Sequence, residues 1–271
     1  MEEILNQIRA QERRMLLAID VGNTNTVIGV FDGAQLVHHW RLRTEKDATE
    51  DEFHVLISNL FSLEGAEMGS IQATIISCVV PPLMNILNNF CTEHLHHQPI
   101  WVDASTLTDM PILYDNPKEV GADRIVNAVA AFHKYQSSLV VVDFGTATTF
   151  DCISLEGAYL GGAISPGIFI SSEALFQKAS KLPRVEIFAA PKSVIARDTI
   201  SSMNAGIIFG YAGLVDGIVQ RIKKEMTSVP KVIATGALAE LVSEFSETIE
   251  AVEPHLTLEG LLIIYNKTQM K

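Results

Sequence analysis

Two short runs of this chain carry a carboxylate, a glycine and several hydroxyls in the same order. The first is Asp20-Val21-Gly22-Asn23-Thr24-Asn25-Thr26, after the apolar residues 15–19; the second is Asp143-Phe144-Gly145-Thr146-Ala147-Thr148-Thr149, after residues 139–142. Each Asp closes a buried-looking strand, with a Gly two residues on and a Thr six residues on. Each run leads into another apolar strand and then a glycine, Gly33 or Gly157. Glycine lets the backbone approach an anion, amides and hydroxyls donate to phosphate oxygens, and carboxylates hold the neutralising metal. A lone copy reads equally well as a turn, because Gly and Asn favour turns. Two copies favour a polyphosphate clamp built by related halves. Asp20 is then expected to hold Mg²⁺, directly or through water, with Gly22 to Thr26 lining the β- and γ-phosphates. Gly145 and Thr146 are expected to donate from an opposing wall, and Asp143 to bind a cation.

A third cluster, Gly121-Ala122-Asp123-Arg124, sits where a loop becomes a helix. An Asp near the cap and an Arg in the first turn are common at any helix start. This helix leads straight into the second phosphate turn, however, so its start is expected to face the same cleft. There Asp123 can accept a hydroxyl proton while Arg124 pairs with an anionic acceptor. Tyr114, in the preceding loop, either covers the acceptor or packs. Gly161-Gly162-Ala163-Ile164-Ser165-Pro166-Gly167 permits close backbone approach, to a ligand or to a neighbouring strand. His94, His96 and His97 lie at a helix end and read as a solvated cationic cap rather than a metal cluster.

The elements that must position these groups follow from periodicity. Strands are expected at 16–19, 27–31, 36–42, 73–80 and 100–102, with helices at 49–63 and 82–94. Thr49 and Glu52 fit a capping box, and Pro81-Pro82 a helix start. Residues 103–120 read as a crossover loop. A helix at 122–135 then returns to the strand-turn-strand pattern at 139–142, 148–154 and 159–164. A helix begins at 171–176, 181–197 is loop, and 199–226 is a long helix with a break expected near Gly210 or Gly213. A strand at 231–235 and helices at 238–245 and 258–271 close the chain. Runs such as Val140-Val141-Val142 suit central strands covered on both faces. The expected class is α/β, two ribonuclease-H-like halves with a central cleft: an extension at 1–14, halves at 15–115 and 116–271. The extension reads as an appended helix or extended start.

The bulk numbers fit. At 271 residues and net charge −12, the chain can bury real cores but should not attract nucleic acid or an anionic membrane. Cys78, Cys91 and Cys152 lack the spacing of a zinc site or redox pair and read as reduced thiols. The polar start is unlike a signal peptide. The longest charge-free run, 68–92, is broken by Pro81-Pro82, so a soluble cytoplasmic protein is expected.

With Ser77-Cys78-Val79-Val80-Pro81-Pro82 added, the five motifs in this order resemble the type III pantothenate kinases, of the acetate and sugar kinase/heat-shock 70/actin superfamily. The resemblance runs from Met15 to the C-terminus. It implies ATP-dependent phosphorylation of pantothenate to 4′-phosphopantothenate, the first step of coenzyme A synthesis, by a homodimer using Mg²⁺ and a monovalent cation, K⁺ or NH₄⁺. By motif match Asp123 is the general base and Asp143 the monovalent-cation ligand. Asp20, Val21, Gly22, Asn23, Thr24, Asn25, Thr26, Val27, Gly145 and Thr146 bind ATP, and Tyr114, Gly121, Ala122, Asp123, Arg124 and Thr199 contact pantothenate. One departure is Thr235-Gly236-Ala237, where the superfamily's adenosine-contacting turn usually carries two glycines. Ala237 adds a methyl where the base approaches.

Overall fold

A computed structural model describes residues 15–103, 109–185 and 189–270; the expected extension at 1–14 lies outside them. The first sheet is built from β1 (Met15–Val21), β2 (Asn25–Asp32), β3 (Gln35–Arg43), β4 (Ile71–Cys78) and β5 (Ile100–Trp101), in the order β3-β2-β1-β4-β5. The hairpin partners β1–β2 and β2–β3 are antiparallel, while β1–β4 and β4–β5 are parallel. The crossovers are α1 (Glu50–Leu63) and α2 (Pro81–His94). The second sheet uses β6 (Leu139–Phe144), β7 (Ala147–Ile153), β8 (Tyr159–Pro166), β9 (Lys231–Gly236) and β10 (Ala251–Val252). Its order, β8-β7-β6-β9-β10, and its pairing senses repeat the first strand for strand. The duplicated motif therefore marks a duplicated ribonuclease-H-like topology. Asp20 and Asp143 are the penultimate residues of equivalent strands, β1 and β6.

The remaining helices among the described residues are α3 (Ala122–Tyr135), α4 (Ile168–Lys178), α5 (Thr199–Glu225), α6 (Ala239–Ser243) and α7 (Leu256–Gln269). The compact units do not follow one cut of the chain. Lys118–Ala130 and the residues from Thr257 onward belong with the first sheet; residues 110–117 and 131–256 form the second unit. The reason is packing: Gly29 and Gly260 leave no room for a Cβ beside Leu258 and Val126, and Thr257 Oγ1 donates to buried Asn127 Oδ1 at 2.8 Å. Each unit keeps its own apolar core, one holding Leu17, Ile19, Phe61 and Phe90, the other Val140, Val142, Phe150 and Val215.

Several expectations are corrected. Helix α5 runs unbroken, because a face carrying Met203, Ile208, Tyr211, Val215 and Val219 is buried, outweighing roughly 0.5–1 kcal/mol per interior glycine. Among the described residues α5 alone is long and apolar enough to cross a membrane, and that buried face is the core-helix reason for its composition. The helix expected from 171 starts at Ile168, directly after Pro166 ends the edge strand. The two-residue β10 was not expected. The close approach at Gly162 is to a strand: a Cβ there would lie 1.6 Å from the Phe150 carbonyl oxygen. Of the three histidines only His96 is exposed as a solvated cap requires. His97 bonds Thr74 Oγ1 at 2.9 Å and the Leu95 carbonyl at 3.0 Å, and burial holds its pKa below the usual value. His94 stacks on His54 with centroids 3.6 Å apart. The Thr49–Glu52 capping box and the free thiols stand as expected, with burial pushing Cys91 up to about 12.

Candidate active site

In the first unit β1 delivers Asp20 to the end of the sheet, between Val27 of β2 and Ser77 of β4. The turn beyond it closes with Gly22 N donating to Asn25 O at 3.0 Å. Asn23 and Thr24 are exposed at its tip, while Thr26 faces inward at 5% exposure and shares a 3.0 Å hydrogen bond with Thr44 Oγ1. Ser77 Oγ is fully buried and has no hydrogen-bond partner among the described residues. A half-buried carboxylate with an orphaned hydroxyl beside it is an oxygen donor set that fits a hard divalent cation.

Gly121 to Arg124 belong to the same unit, at the start of α3. The Asp123 carboxylate folds back on its own turn, Oδ1 accepting from Arg124 N at 2.8 Å and lying where a Cβ on Gly121 would be, 2.5 Å away. Dense surroundings raise the Asp123 pKa by desolvation, against the lowering effect of the Arg124 amide and guanidinium. Arg124 is itself 8% exposed, a charge taken largely out of water. A carboxyl whose proton affinity is raised above the usual carboxylate value is suited to proton acceptance near neutrality.

The second unit carries the other loop. Gly145 N donates to Ala147 O at 3.1 Å, and Gly167 N, capping α4, donates to Thr146 O at 3.1 Å. A Cβ on Gly167 would lie 2.2 Å from Thr146 O and 2.6 Å from Gly145 O, so only glycine fits. Gly236 sits at φ +96°, and a Cβ there would lie 2.7 Å from Asp143 Oδ1, from the Phe144 amide nitrogen and from the Phe144 carbonyl oxygen, so only glycine fits. A carboxylate oxygen and a carbonyl oxygen gathered at one point suit a cation. Ala237, the departure in that turn, is solvent-exposed. Tyr114 packs beside Gly161, its ring centroid 6.5 Å from that of Tyr159, and its segment bridges to the edge strand through Leu113 N to Tyr159 O at 2.8 Å. Thr199 is the exposed first residue of α5, behind the cap Asp198, whose carboxylate accepts from Ser201 N at 2.9 Å. Thus Asp20 to Val27 and Gly121 to Arg124 share one unit; Asp143, Gly145, Thr146, Tyr114 and Thr199 share the other.

The two loops do not align residue for residue as the sequence suggests. Val21 pairs with Thr26, and Phe144 with Thr148, so the structural equivalent of Thr26 is Thr148, not Thr149. The first turn is one residue longer, which the spacing of hydroxyls conceals. Thr149 instead stands opposite Asp143 and donates to buried Asp151 at 3.1 Å, an acid that also accepts from Tyr159 at 2.7 Å. Sequence reading missed Asp151 and Thr44, since neither carries a local signal. Among the described residues no three His, Cys, Asp or Glu gather as a metal-ligand cluster. One carboxylate per loop is the sparse set expected where phosphates and water supply the remaining ligands of a small cation.

Comparison with known proteins agrees with this geometry. The family profile of type III pantothenate kinases matches residues 16–221. The chain is 64% identical over 253 residues to the type III pantothenate kinase of Desulfatibacillum aliphaticivorans, covering 93% of this chain and 98% of that one. It is 60% identical to that of Syntrophus aciditrophicus, covering 93% and 99%. Among solved structures, component A of (R)-2-hydroxyglutaryl-CoA dehydratase from Acidaminococcus fermentans superposes with a TM-score of 0.56 at 17% identity, covering 95% of this chain and all of that one, a likeness of fold.

Proposed function

This chain belongs to the type III pantothenate kinase family, and on that premise we propose how its residues phosphorylate pantothenate with ATP in coenzyme A biosynthesis. The observation that carries the reading is Asp123, a carboxyl of raised proton affinity beside a buried arginine at a helix start. Asp123 takes the proton of the acceptor's primary hydroxyl as that oxygen attacks the γ-phosphorus, and the bond to the β-γ bridging oxygen of ATP breaks to release ADP. Arg124 holds the acceptor carboxylate, which its planar fork matches. Tyr114, Gly121, Ala122 and Thr199 complete the acceptor site. The amides of Gly22 to Thr26, and Gly145 with Thr146, hold the phosphates. Phosphoryl transfer passes through a loose transition state, so positioning and charge neutralisation carry more of the rate than the base does.

Mg²⁺ at Asp20, bound directly or through water, and K⁺ or NH₄⁺ at Asp143 would supply that neutralisation. The oxygen donors at each loop support both assignments. A homodimer is supported by large apolar side chains left exposed on consecutive elements of the second unit, Ile164, Phe169, Ile170, Phe176 and Ile200. Net charge −12 supports a protein that binds neither nucleic acid nor anionic membrane, and a cytoplasmic place of work accords with membership of a family of soluble metabolic kinases.

The test is mass-spectrometric detection of 4′-phosphopantothenate from pantothenate, ATP and Mg²⁺, with K⁺, NH₄⁺ or Na⁺ as the only monovalent cation. Acceptor-dependent product, increased by K⁺ or NH₄⁺, is expected. Product that is equal with Na⁺ overturns the cation assignment at Asp143, and phosphorylation of glucose in place of pantothenate overturns the acceptor.

A further inference from the structure

We propose that Thr44 is the positioning residue of the first phosphate loop, an inference that rests on the reading of residues 20–27 as ATP-binding. Thr44 follows the last residue of β3 and makes three bonds to the loop. Its amide donates to Thr24 O at 2.9 Å, its hydroxyl donates to Gly22 O at 2.8 Å, and its Oγ1 lies 3.0 Å from Thr26 Oγ1. A hydroxyl has one proton to give. With that proton on Gly22 O, Thr26 must donate to Thr44, so both hydroxyls are fixed in direction and Thr26 turns inward.

The consequence for an anion comes from the peptide plane. In a trans peptide the N–H points opposite to the preceding C=O, and the described residues contain no cis bond. Drawing the carbonyls of Gly22 and Thr24 onto Thr44 therefore aims the N–H groups of Asn23 and Asn25 away from it, as a pair of donors for phosphate oxygens. A cavity of about 400 Å³ is lined by Val21 and Thr26, which flank the turn, together with Leu42, Phe53 and Leu87. The second half lacks the device. Its topological equivalent of Thr44 is Gly167, which reproduces only the backbone bond, to Thr146 O at 3.1 Å.

Thr44→Val keeps the shape and removes the hydroxyl; Thr44→Ser keeps the hydroxyl. For Thr44→Val we expect the KM for ATP, and the Kd for Mg·ATP by calorimetry, to rise about tenfold or more, the cost of two buried bonds. The KM for pantothenate should move by less than about twofold, and Thr44→Ser should restore near-wild-type ATP affinity. If Thr44→Val does not fold, Thr26→Val, which breaks the shared bond from the other side, should give the same selective rise to a smaller extent. Unchanged ATP affinity in the folded variants overturns the role of Thr44. So does a parallel rise in both KM values with a loss of melting temperature, which marks a structural role only. Failure of wild-type protein to bind Mg·ATP instead overturns the underlying reading of the loop.

Discussion

Asp123 is held in a state that costs the fold and that suits the base role proposed for it. Its pKa in the folded protein lies above the ordinary value because burial disfavours the charge more than Arg124 restores it. A raised folded pKa means the native state binds this proton more tightly than the unfolded chain does. Its stabilising effect is complete below the unfolded value and is lost as pH rises through the folded one, so above that pH the ionised carboxylate is a net burden. Asp123→Asn should therefore leave the melting temperature unchanged or raise it at pH 7, while lowering kcat by ~10²–10⁴. Retention of half the activity would reduce Asp123 to a helix-start residue. The acid limb of the wild-type kcat profile should fall at a pH above the ordinary carboxylate range, and Asp123→Asn should flatten it. Arg124→Ala removes a charge that is buried beside this carboxyl, and should weaken the acceptor side by about 2–4 kcal/mol. An unchanged KM for pantothenate in that variant would contradict the assignment.

At the scale of elements, a different acid shows the opposite shift. Asp216 in α5 accepts from Ser246 Oγ at 2.7 Å, Thr248 Oγ1 at 2.7 Å, and the amides of Glu247 and Thr248 at 3.0 Å each. Burial raises its pKa as the largest single effect, but these donors together outweigh it and the net shift is downward. A depressed folded pKa contributes stability that is present above the unfolded value and lost as pH falls through the folded one. Asp216→Asn should thus lower the melting temperature at pH 7 by about 2–6 °C, with the gap to wild type closing in acid; an equal gap at pH 3 would refute the charge argument. Elements of this kind were legible where the signal is local. The Thr49–Glu52 box, Pro81-Pro82 and the bounds of α3 all follow from neighbours within four residues. Illegible features depend on partners far along the chain. Thr44 reaches residues 18 to 22 positions back, and β10 is two residues long and exists only by pairing with β9. The one-residue difference between the phosphate turns hid for the same reason, because register is set by pairing rather than by residue type.

For the whole molecule, the duplication that announced the fold in the sequence also exposes what one half has that the other lacks. Both halves share a sheet topology, yet Asp123 and Arg124, the proposed acceptor-side pair, stand in the first unit and the partly exposed apolar side chains of β8, α4 and the start of α5 in the second. Phe169 is 44% exposed, Ile170 47% and Ile164 63%, on consecutive elements. Each of the three is already about half buried, so completing the burial would recover roughly half of the full-burial range, about 1 kcal/mol each, which a second copy of the chain can supply. Light scattering on the intact protein should then give twice the 29.7 kDa chain mass. Phe169→Glu with Ile170→Glu should give the single-chain mass, since a buried unpaired charge costs more than the contact returns. Because Thr199 opens α5 beside these elements, the same double variant should also lose affinity for pantothenate while keeping its affinity for Mg·ATP. Wild type that runs as a single chain, or a double variant that stays paired, would remove this surface from the assembly.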